Sequence, residues 1–411
     1  MKIAAISSIL LLALIVRAFL YYQNQPQFFE GQEIDIAIIL NSEPKIFSNR
    51  QVLSANLGLN RLTIITSFLP QYHYQDKLRI SGKLESRVLK NGSKLFILYF
   101  PKIDKGNQNA ILKSVTQLRE KFIDLFNHTL PLNYSSLLLG ITFGIKGKMT
   151  EEFLNNLRIT GVLHVIAASG MNVTLFGGFI TAVFGFFLKR QIALFLSIFG
   201  ILFYVVLAGF EASIIRAAIM GILVFSSQIL GRQRLSVYGL ILAGYLMIFV
   251  NPNTIFDIGF QLSFFATAGL LYIRPIFYSS EILKKILDTS IVGGDIATTI
   301  SAQIATLPIL LANFGIYSIW SVVVNALVLW TVPILMIIGG IGGALGLFSD
   351  FTGRIFIFLS FPLIFYFEKI INLFSNFGGL LKIESLSWQA VIGYYLLLGI
   401  LIYKNLKNFK I

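Results

Sequence analysis

Apolar positions follow different rhythms in different parts of the chain. Within 30–105 they alternate with polar ones: "EIDIAIIL" and "RLTIITSF" repeat with a period of two, as half-buried strands do. In "KLESRVLKNGSKLFILYF" two strand-like runs flank Asn91-Gly92, a dipeptide suited to the positive φ angles of a two-residue hairpin turn. The stretch 30–105 is expected to be a small all-β domain. From Asn107 to Leu130 the period becomes helical, with Ile111, Val115, Leu118, Phe122 and Leu125 opposite Lys113, Arg119, Glu120 and Asp124. This predicts an amphipathic linker helix over 107–130, lying near a membrane surface and ended by Pro131.

Elsewhere the apolar runs are continuous. Ile3–Leu20 follows Lys2 and is long enough to cross a hydrocarbon core, which takes about 20 residues. Its end carries Arg17, Phe19, Tyr21 and Tyr22 instead of a small-residue cleavage site, which favours a retained anchor over 1–22, with a cleaved signal peptide as the alternative. Beyond Pro131 the stretch 131–403 reads as polytopic. Candidate spans lie near 162–188, 191–209, 213–230, 235–250, 256–273, 291–311, 319–348, 354–371 and 388–403. With the anchor they predict about ten spans, and hence a polytopic α-helical membrane protein with a small extracellular all-β domain after the first span.

Basic residues set the orientation. Lys189 with Arg190, Arg232 with Arg234, Arg274 with Lys284 and Lys285, and the 404–411 tail with Lys404, Lys407 and Lys410 fall on one side if each run crosses once. That side is expected to be the cytoplasm of a bacterial cell, with both termini inside and the β-domain outside. Leu137–Ile145 is then a re-entrant or surface piece, because a crossing there upsets the alternation. The run 319–348 is expected to cross once or to be split by Pro333 and the glycines at 339, 340, 342 and 343.

Composition supports the membrane assignment: 56% of residues are hydrophobic, 13% are charged, and 38 of the 411 are Phe. The chain has no Cys, which excludes disulfides, thiolate metal sites and a cysteine nucleophile. Its three His, at 73, 128 and 164, are too scattered for a histidine zinc site, and no cofactor is expected. The net charge of +14 fits nucleic acid or anionic lipid as a partner, and fits positive-inside topology equally well.

Polar residues inside apolar spans are costly and need a partner or a wet cavity. "EASIIRAAIMG" holds Glu211 and Arg216, "NPNTIFDIGFQLSFFAT" holds Asn253, Asp257 and Gln261, and "SAQIATLPILLANFG" holds Gln303, Thr306 and Asn313. Asn325 lies in "SVVVNALVLW". On a continuous helix Asn253, Asp257 and Gln261, four apart, share one face. Interhelical hydrogen bonding accounts for a lone Asn or Gln, and an internal ion pair for Arg216 with Asp257. As a set they suggest a hydrated path. In "TGVLHVIAASGMNVTLF" His164 and Ser169 are about 140° apart on a continuous helix, whereas Ser169 and Asn172 share a face. Gly170, after Ala167, Ala168 and Ser169, offers a place for the helix to unwind. A Ser-His hydrolase needs an orienting third group and an oxyanion hole that the sequence does not display.

"FLNNLRITGVLHVIAASGMNVTL" resembles the signature of the ComEC family of competence proteins. "SIIRAAIMGILVFSSQILGR", "NPNTIFDIGFQLSFFATAGLL" and "SAQIATLPILLANFGIYSIWSVVVNALVLWTVPIL" are similar to further family stretches in the same order, from about Leu130 to Leu335. "KLRISGKLES" and the hairpin resemble the family's extracellular OB-like β-barrel. Two departures stand out. Family members often carry a second His where this chain has Asn172. Fuller members continue into a metallo-β-lactamase-like domain that acts on the non-transported strand, and this chain is read as a short form without it.

The resemblance implies a channel that passes single-stranded DNA across the cytoplasmic membrane during competence, without its own nuclease and without enzymatic activity. A polyanion in a membrane needs a polar path with cationic or dipolar groups. His164, Ser169, Asn172, Arg216, Asp257, Gln261 and Asn325 are the residues expected along it. In the outer domain Lys83, Arg87 and Lys90 are expected to meet phosphates and Tyr72 to stack on bases, although core packing explains the aromatics equally well. Implied partners are single-stranded DNA, membrane lipids, a separate nuclease, a DNA receptor, a cytoplasmic motor and further copies of the chain. A transporter of a small or lipidic anion and a membrane hydrolase are the competing readings.

Overall fold

A computed structural model describes residues 2–40, 44–47, 49–57, 60–73, 75–88, 94–106, 110–145, 149–166, 170–210, 212–230, 236–278, 293–383 and 386–408. The chain divides into two compact units, Met1–Glu120 and Lys121–Ile411.

The first unit begins with helix α1 (Lys2–Gln23), apolar over Ser8–Gln23. Eight strands follow: β1 (Glu33–Ile39), β2 (Lys45–Phe47), β3 (Arg50–Leu57), β4 (Asn60–Ser67), β5 (Lys77–Lys83), β6 (Glu85–Val88), β7 (Lys94–Tyr99) and β8 (Lys102–Lys105). They form a three-stranded sheet in the order β1-β5-β8 and a five-stranded sheet in the order β2-β3-β4-β7-β6, antiparallel except for the parallel pair β4–β7. The period-two runs become β1 and β4, and their alternate side chains, such as Ile34, Ile38, Leu62 and Ile64, fill one core with Leu53, Leu78, Ile80 and Phe96. β6 and β7 pair antiparallel, as the hairpin pattern predicts; their connecting Asn91-Gly92 lies outside the described residues.

Inside this core one amide ties a loop to the sheet. Gln51 on β3 is 1% exposed, and its Nε2 donates to the carbonyls of Ser67 (2.8 Å), Phe68 (3.3 Å) and Pro70 (2.6 Å). Its Oε1 accepts from Tyr72 N–H at 3.4 Å. A strand residue therefore supplies the hydrogen bonds that the 68–72 loop cannot make with itself. The next turn is held by Asp76, whose Oδ2 accepts from His73 N–H (2.9 Å) and meets Lys105 Nζ at 3.0 Å.

Helix α2 (Ala110–Asn127) corresponds to the predicted amphipathic linker. The second unit is helical. Its elements are α3 (Leu132–Phe143), α4 (Glu151–Ile159), α5 (Gly170–Phe187), α6 (Arg190–Ala208), α7 (Ala212–Ile229), α8 (Ser236–Val250), α9 (Ile258–Tyr272), α10 (Arg274–Phe277), α11 (Gly293–Phe314), β9 (Ile316–Ser318), α12 (Ser321–Val328), α13 (Thr331–Gly346), α14 (Asp350–Phe358), α15 (Phe361–Asn376), β10 (Leu380–Lys382) and α16 (Trp388–Asn408). Among the described residues five helices are long and apolar enough to cross a bilayer, or seven when the bent pairs α12–α13 and α14–α15 each count as one span. Large apolar side chains such as Phe179, Phe184, Phe195, Phe199 and Leu202 stand exposed on α5 and α6, as lipid-facing helices require. α8, at 15 residues and about 1.5 Å each, is short of the roughly 30 Å hydrocarbon thickness.

Several expectations are corrected here. Of the two alternatives for Leu137–Ile145 the surface piece is ruled out, because all ten residues from Tyr134 to Phe143 on α3 are buried, which leaves the re-entrant one. Small residues permit that burial, since a methyl on Gly140 would meet Ile166 O at 2.9 Å and Gly339 of α13 packs directly on Thr142. At only 12 residues α3 is also too short to cross alone. The run 162–188 is no continuous helix, because the chain turns at Gly161, makes one 3₁₀ turn at Leu163–Val165 and starts α5 at Gly170. The run 319–348 does bend, by 46°, but between α12 and α13 and not at the glycines. Pro333 has no N–H to offer Leu329 O and its ring crowds that carbonyl, which displaces the bend one turn upstream of the proline. The glycines at 339, 342 and 343 are buried inside α13, where they allow close helix packing.

In α11, Pro308 leaves the carbonyl of Ile304 without its helical donor. Tyr394 of α16 donates its hydroxyl to that carbonyl at 2.9 Å, and Tyr395 donates to Ala305 O at 2.8 Å.

The Gln51 clip generates a prediction. Gln51→Ala should expose the 68–72 loop, and amide hydrogen exchange at Tyr72 should speed up about thirtyfold, equivalent to about 2 kcal/mol. Unchanged exchange would show that the loop does not depend on the amide.

Candidate functional site

In the helical unit, polar residues picked out by the sequence meet others in two places. The first surrounds the turn that ends α4. Thr150 caps the helix start, accepting Phe153 N–H at 3.3 Å. At the other end Gly161 N–H donates to Arg158 O (3.1 Å) and Val162 N–H to Leu157 O (3.0 Å), the pair of bonds that closes a helix through a left-handed residue. Gly161 supplies that residue with φ of +74°, and an added methyl would lie 2.7 Å from Ser321 Cβ and 3.0 Å from Ser318 Cβ. The turn therefore sits directly on α12 and β9, where Ser318 Oγ donates to Ile159 O at 2.5 Å. His164 Nδ1 lies 3.2 Å from Gly161 O, and the residue is exposed.

From Ser321 the polar contacts run inward. Ser321 Oγ accepts from Gln303 Nε2 of α11 at 2.6 Å and lies 3.4 Å from the Asn325 Nδ2 that donates to it. Gln303 Oε1 accepts the hydroxyl of Tyr317 at 2.9 Å. Asn325, 2% exposed, keeps a buried Oδ1 without a partner among the described residues. β9 pairs antiparallel with β10 beside this cluster, Leu380 opposite Ser318.

The second place is the start of α5. Asn172, 1% exposed, donates from Nδ2 to Ile141 O of α3 at 2.8 Å, so it serves as an interhelical bond. Arg216 of α7 is 7% exposed and donates from Nη1 to Thr267 Oγ1 of α9 at 2.6 Å. Its Nη2 lies 3.1 Å from where a methyl on Gly170 would be. The structure thus brings His164 near the Ser321–Asn325 cluster, and Arg216 to the start of the helix that carries Asn172. Ser169 and Glu211 lie outside the described residues.

Asp257 and Gln261 have other work. Asp257 is exposed and caps α9, accepting Phe260 N–H at 2.7 Å, and Asn251 caps the 3₁₀ turn Pro252–Phe256 before it. Pro252 and these caps interrupt the helix, so Asn253, Asp257 and Gln261 do not share a helical face, and Arg216 binds Thr267 instead of Asp257. Gln261 Nε2 donates back to Ile255 O at 2.9 Å, and its buried Oε1 has no partner among the described residues. Gln261 borders an apolar cavity of about 490 Å³ among α8, α9, α11 and α16.

In the β unit, Tyr72 is buried in the core at 7% exposure, so its ring presents no face to a base. Burial raises the pKa of its hydroxyl, as does the charge of Asp76. Lys83 and Arg87 are exposed, and Lys90 lies outside the described residues. Part of the basic surface is already paired: Arg79 forks onto Asp35 through Nε (2.9 Å) and Nη2 (2.8 Å). That fork holds the Asp35 carboxyl below its ordinary range. Sequence reasoning missed Ser321 and Thr267. Ser321 was findable, four residues before Asn325 on one helix face; Thr267 meets Arg216 only through the fold. Among the described residues no group of His, Asp or Glu is placed to hold a metal ion.

A family model described as "Competence protein" matches residues 141–407. Over 245 residues the chain is 31% identical to ComE operon protein 3 of Bacillus subtilis (strain 168), covering 59% of this chain and 30% of that protein. An uncharacterized protein of Aquifex aeolicus (strain VF5) is 29% identical over 220 residues, 53% of this chain and 49% of that one. The chain thus spans less than half the length of either relative. No solved structure matches it.

Two substitutions follow from this geometry. Gly161→Ala should cost at least about 2 kcal/mol in thermal melts of the detergent-solubilised protein, through strain at positive φ and contact with Ser321. Gly178→Ala, with open space around it, should be neutral or slightly stabilising; equal effects would remove the special role of the turn. Asp257→Ala should weaken α9 by about 1 kcal/mol and Asp257→Ser should restore most of it. An Asp257→Ser protein as unstable as Asp257→Ala would show that the carboxylate does more than cap the helix.

Proposed function

The chain belongs to the competence protein family, and on that premise we propose that its helical unit is a channel for single-stranded DNA across the bacterial cytoplasmic membrane. The observation that carries the reading is the family match over 141–407, which covers nearly the whole unit in which the polar side chains are buried among apolar helices. A strand carrying one negative charge per nucleotide needs such groups in place of water and counterions. The Gln303–Ser321–Asn325 cluster and Arg216 supply amides, a hydroxyl and a cation at depth.

In this reading the chain crosses the membrane about ten times, with both termini in the cytoplasm. The β unit, OB-like in function, stands outside and offers Lys83 and Arg87 to incoming phosphates. The contact of the Gly161 turn with Ser318 and Ser321 supports the topology, since positive-inside counting places both segments on the outer side. No catalytic step is assigned to the chain. A strand drawn through a membrane must be delivered, freed from its complement and pulled, so the partner classes are a DNA receptor, a nuclease and a cytoplasmic motor.

Cells deleted for the gene and supplied with labelled duplex DNA should bind it at the surface and fail to accumulate labelled single strands in the cytoplasm. Cytoplasmic label at the wild-type level, in a strain background that normally makes the protein, would overturn the reading.

A further inference from the structure

Arg216 is buried on α7, and among the described residues it has a single, neutral acceptor. The hydroxyl that takes its Nη1 hydrogen, on Thr267, gives its own hydrogen to Ser263 O (3.0 Å), so it brings no charge. Among the described residues Arg216 Nε has no partner and no carboxylate pairs with the guanidinium. Its Nη2 lies against Gly170, the first residue of α5. α5 is 18 residues long, and the N-terminal end of such a helix carries partial positive charge from its aligned peptide dipoles. Two groups of the same sign therefore converge where little water reaches. An arrangement of that kind is costly when empty and favourable once an anion completes it.

Elsewhere in the same structure an arginine shows how an Nε–Nη2 edge takes an oxyanion. Arg79 grips Asp35 through Nε and Nη2, at 2.9 and 2.8 Å. In Arg216 Nη1 is turned to Thr267, and the Nε–Nη2 edge is the one that borders α5. That edge matches two oxygens of a tetrahedral anion as well as it matches a carboxylate. Gly170 keeps room there, because a methyl at this position would stand 3.1 Å from both Nη2 and Ala217 Cβ.

We propose that Arg216 and the start of α5 form a binding site for one phosphate-type anion, occupied in the working protein by a backbone phosphodiester of the transported strand. The identity of the occupant rests on the channel reading; the anion site does not. Because the guanidinium holds a single phosphodiester, the strand is gripped one nucleotide at a time, without regard to base sequence.

The test uses the full chain in nanodiscs of phosphatidylcholine. A fluorescent oligothymidylate, its uncharged methylphosphonate counterpart and inorganic phosphate are the probes. Wild type should bind the oligothymidylate and not the methylphosphonate. Arg216→Gln should weaken binding at least about tenfold, the loss expected for a charge-assisted fork. Gly170→Ala retains the arginine and suits a helix, so it remains informative if the Gln variant does not fold; it should weaken binding about fivefold through crowding. If wild type binds the oligonucleotide and folded Arg216→Gln and Gly170→Ala bind it equally well, the site falls and the channel reading stands. If phosphate protects wild type but not Gly170→Ala from thermal unfolding while the oligonucleotide does not bind, the anion site stands and the phosphodiester occupant falls with the channel reading. If adding phosphatidylglycerol to the nanodisc stabilises wild type through Arg216 and excludes the oligonucleotide, the occupant is a lipid headgroup and the proposal for the strand is overturned.

Discussion

The turn at Gly161, with φ of +74° and its Cα pressed on Ser318 and Ser321, decides how the first half of the helical unit meets the second. It stops α4, lets the chain change direction before α5, and delivers a backbone surface flat enough for α12 to approach. The approach places Ser321 where Gln303 and Asn325 both reach its hydroxyl. A side chain at residue 161 pushes the two segments apart and opens the hydrogen-bonded cluster, which in a low-dielectric interior leaves several amides unpaired. Backbone conformation and buried polarity are therefore one constraint in this part of the molecule.

What the sequence revealed follows the range of the forces involved. Strands β1 and β4 were legible because alternation is a local consequence of one buried face, and α2 because its apolar positions repeat at helical spacing. Asp257 was legible in a different sense: an Asp just before an apolar run is a helix-start signal, and reading it as a helical-face residue overlooked Pro252 five positions earlier. α3 was left between two alternatives for a physical reason. Its apolar residues are as compatible with lipid as with protein, and only the small residues set against it, Gly339 of α13 among them, decide that it is enclosed. Tyr72 was ambiguous because an aromatic on a β-domain suits a core and a base equally, and the Gln51 bonds that draw its loop inward span 21 residues.

The buried polar groups also divide by what they ask of their surroundings. Asn172 is matched by a carbonyl of α3. A neutral amide there supplies a donor that does not titrate, so the contact between α3 and α5 is independent of pH in a way an imidazole is not. Arg216, Gln261 and Asn325 are among the described residues that keep unmatched buried atoms, and there the interior retains capacity to bind.

The two tyrosines of α16 on the carbonyls around Pro308 have a mechanical meaning. A proline ordinarily makes a membrane helix a natural hinge, because the carbonyl it releases has no claim on its own helix. Here that freedom is taken up by a neighbour: Ile304 and Ala305 are fastened to Tyr394 and Tyr395 at 2.9 and 2.8 Å. If α11 flexes at Pro308, it either strips the Ile304 carbonyl of its donor in a medium without water, and Ala305 O of its second one, or takes α16 with it. The energetically cheaper motion is the second, so α11 and α16 swing as one lever, and the Gln303 side of the polar cluster moves whenever that lever does.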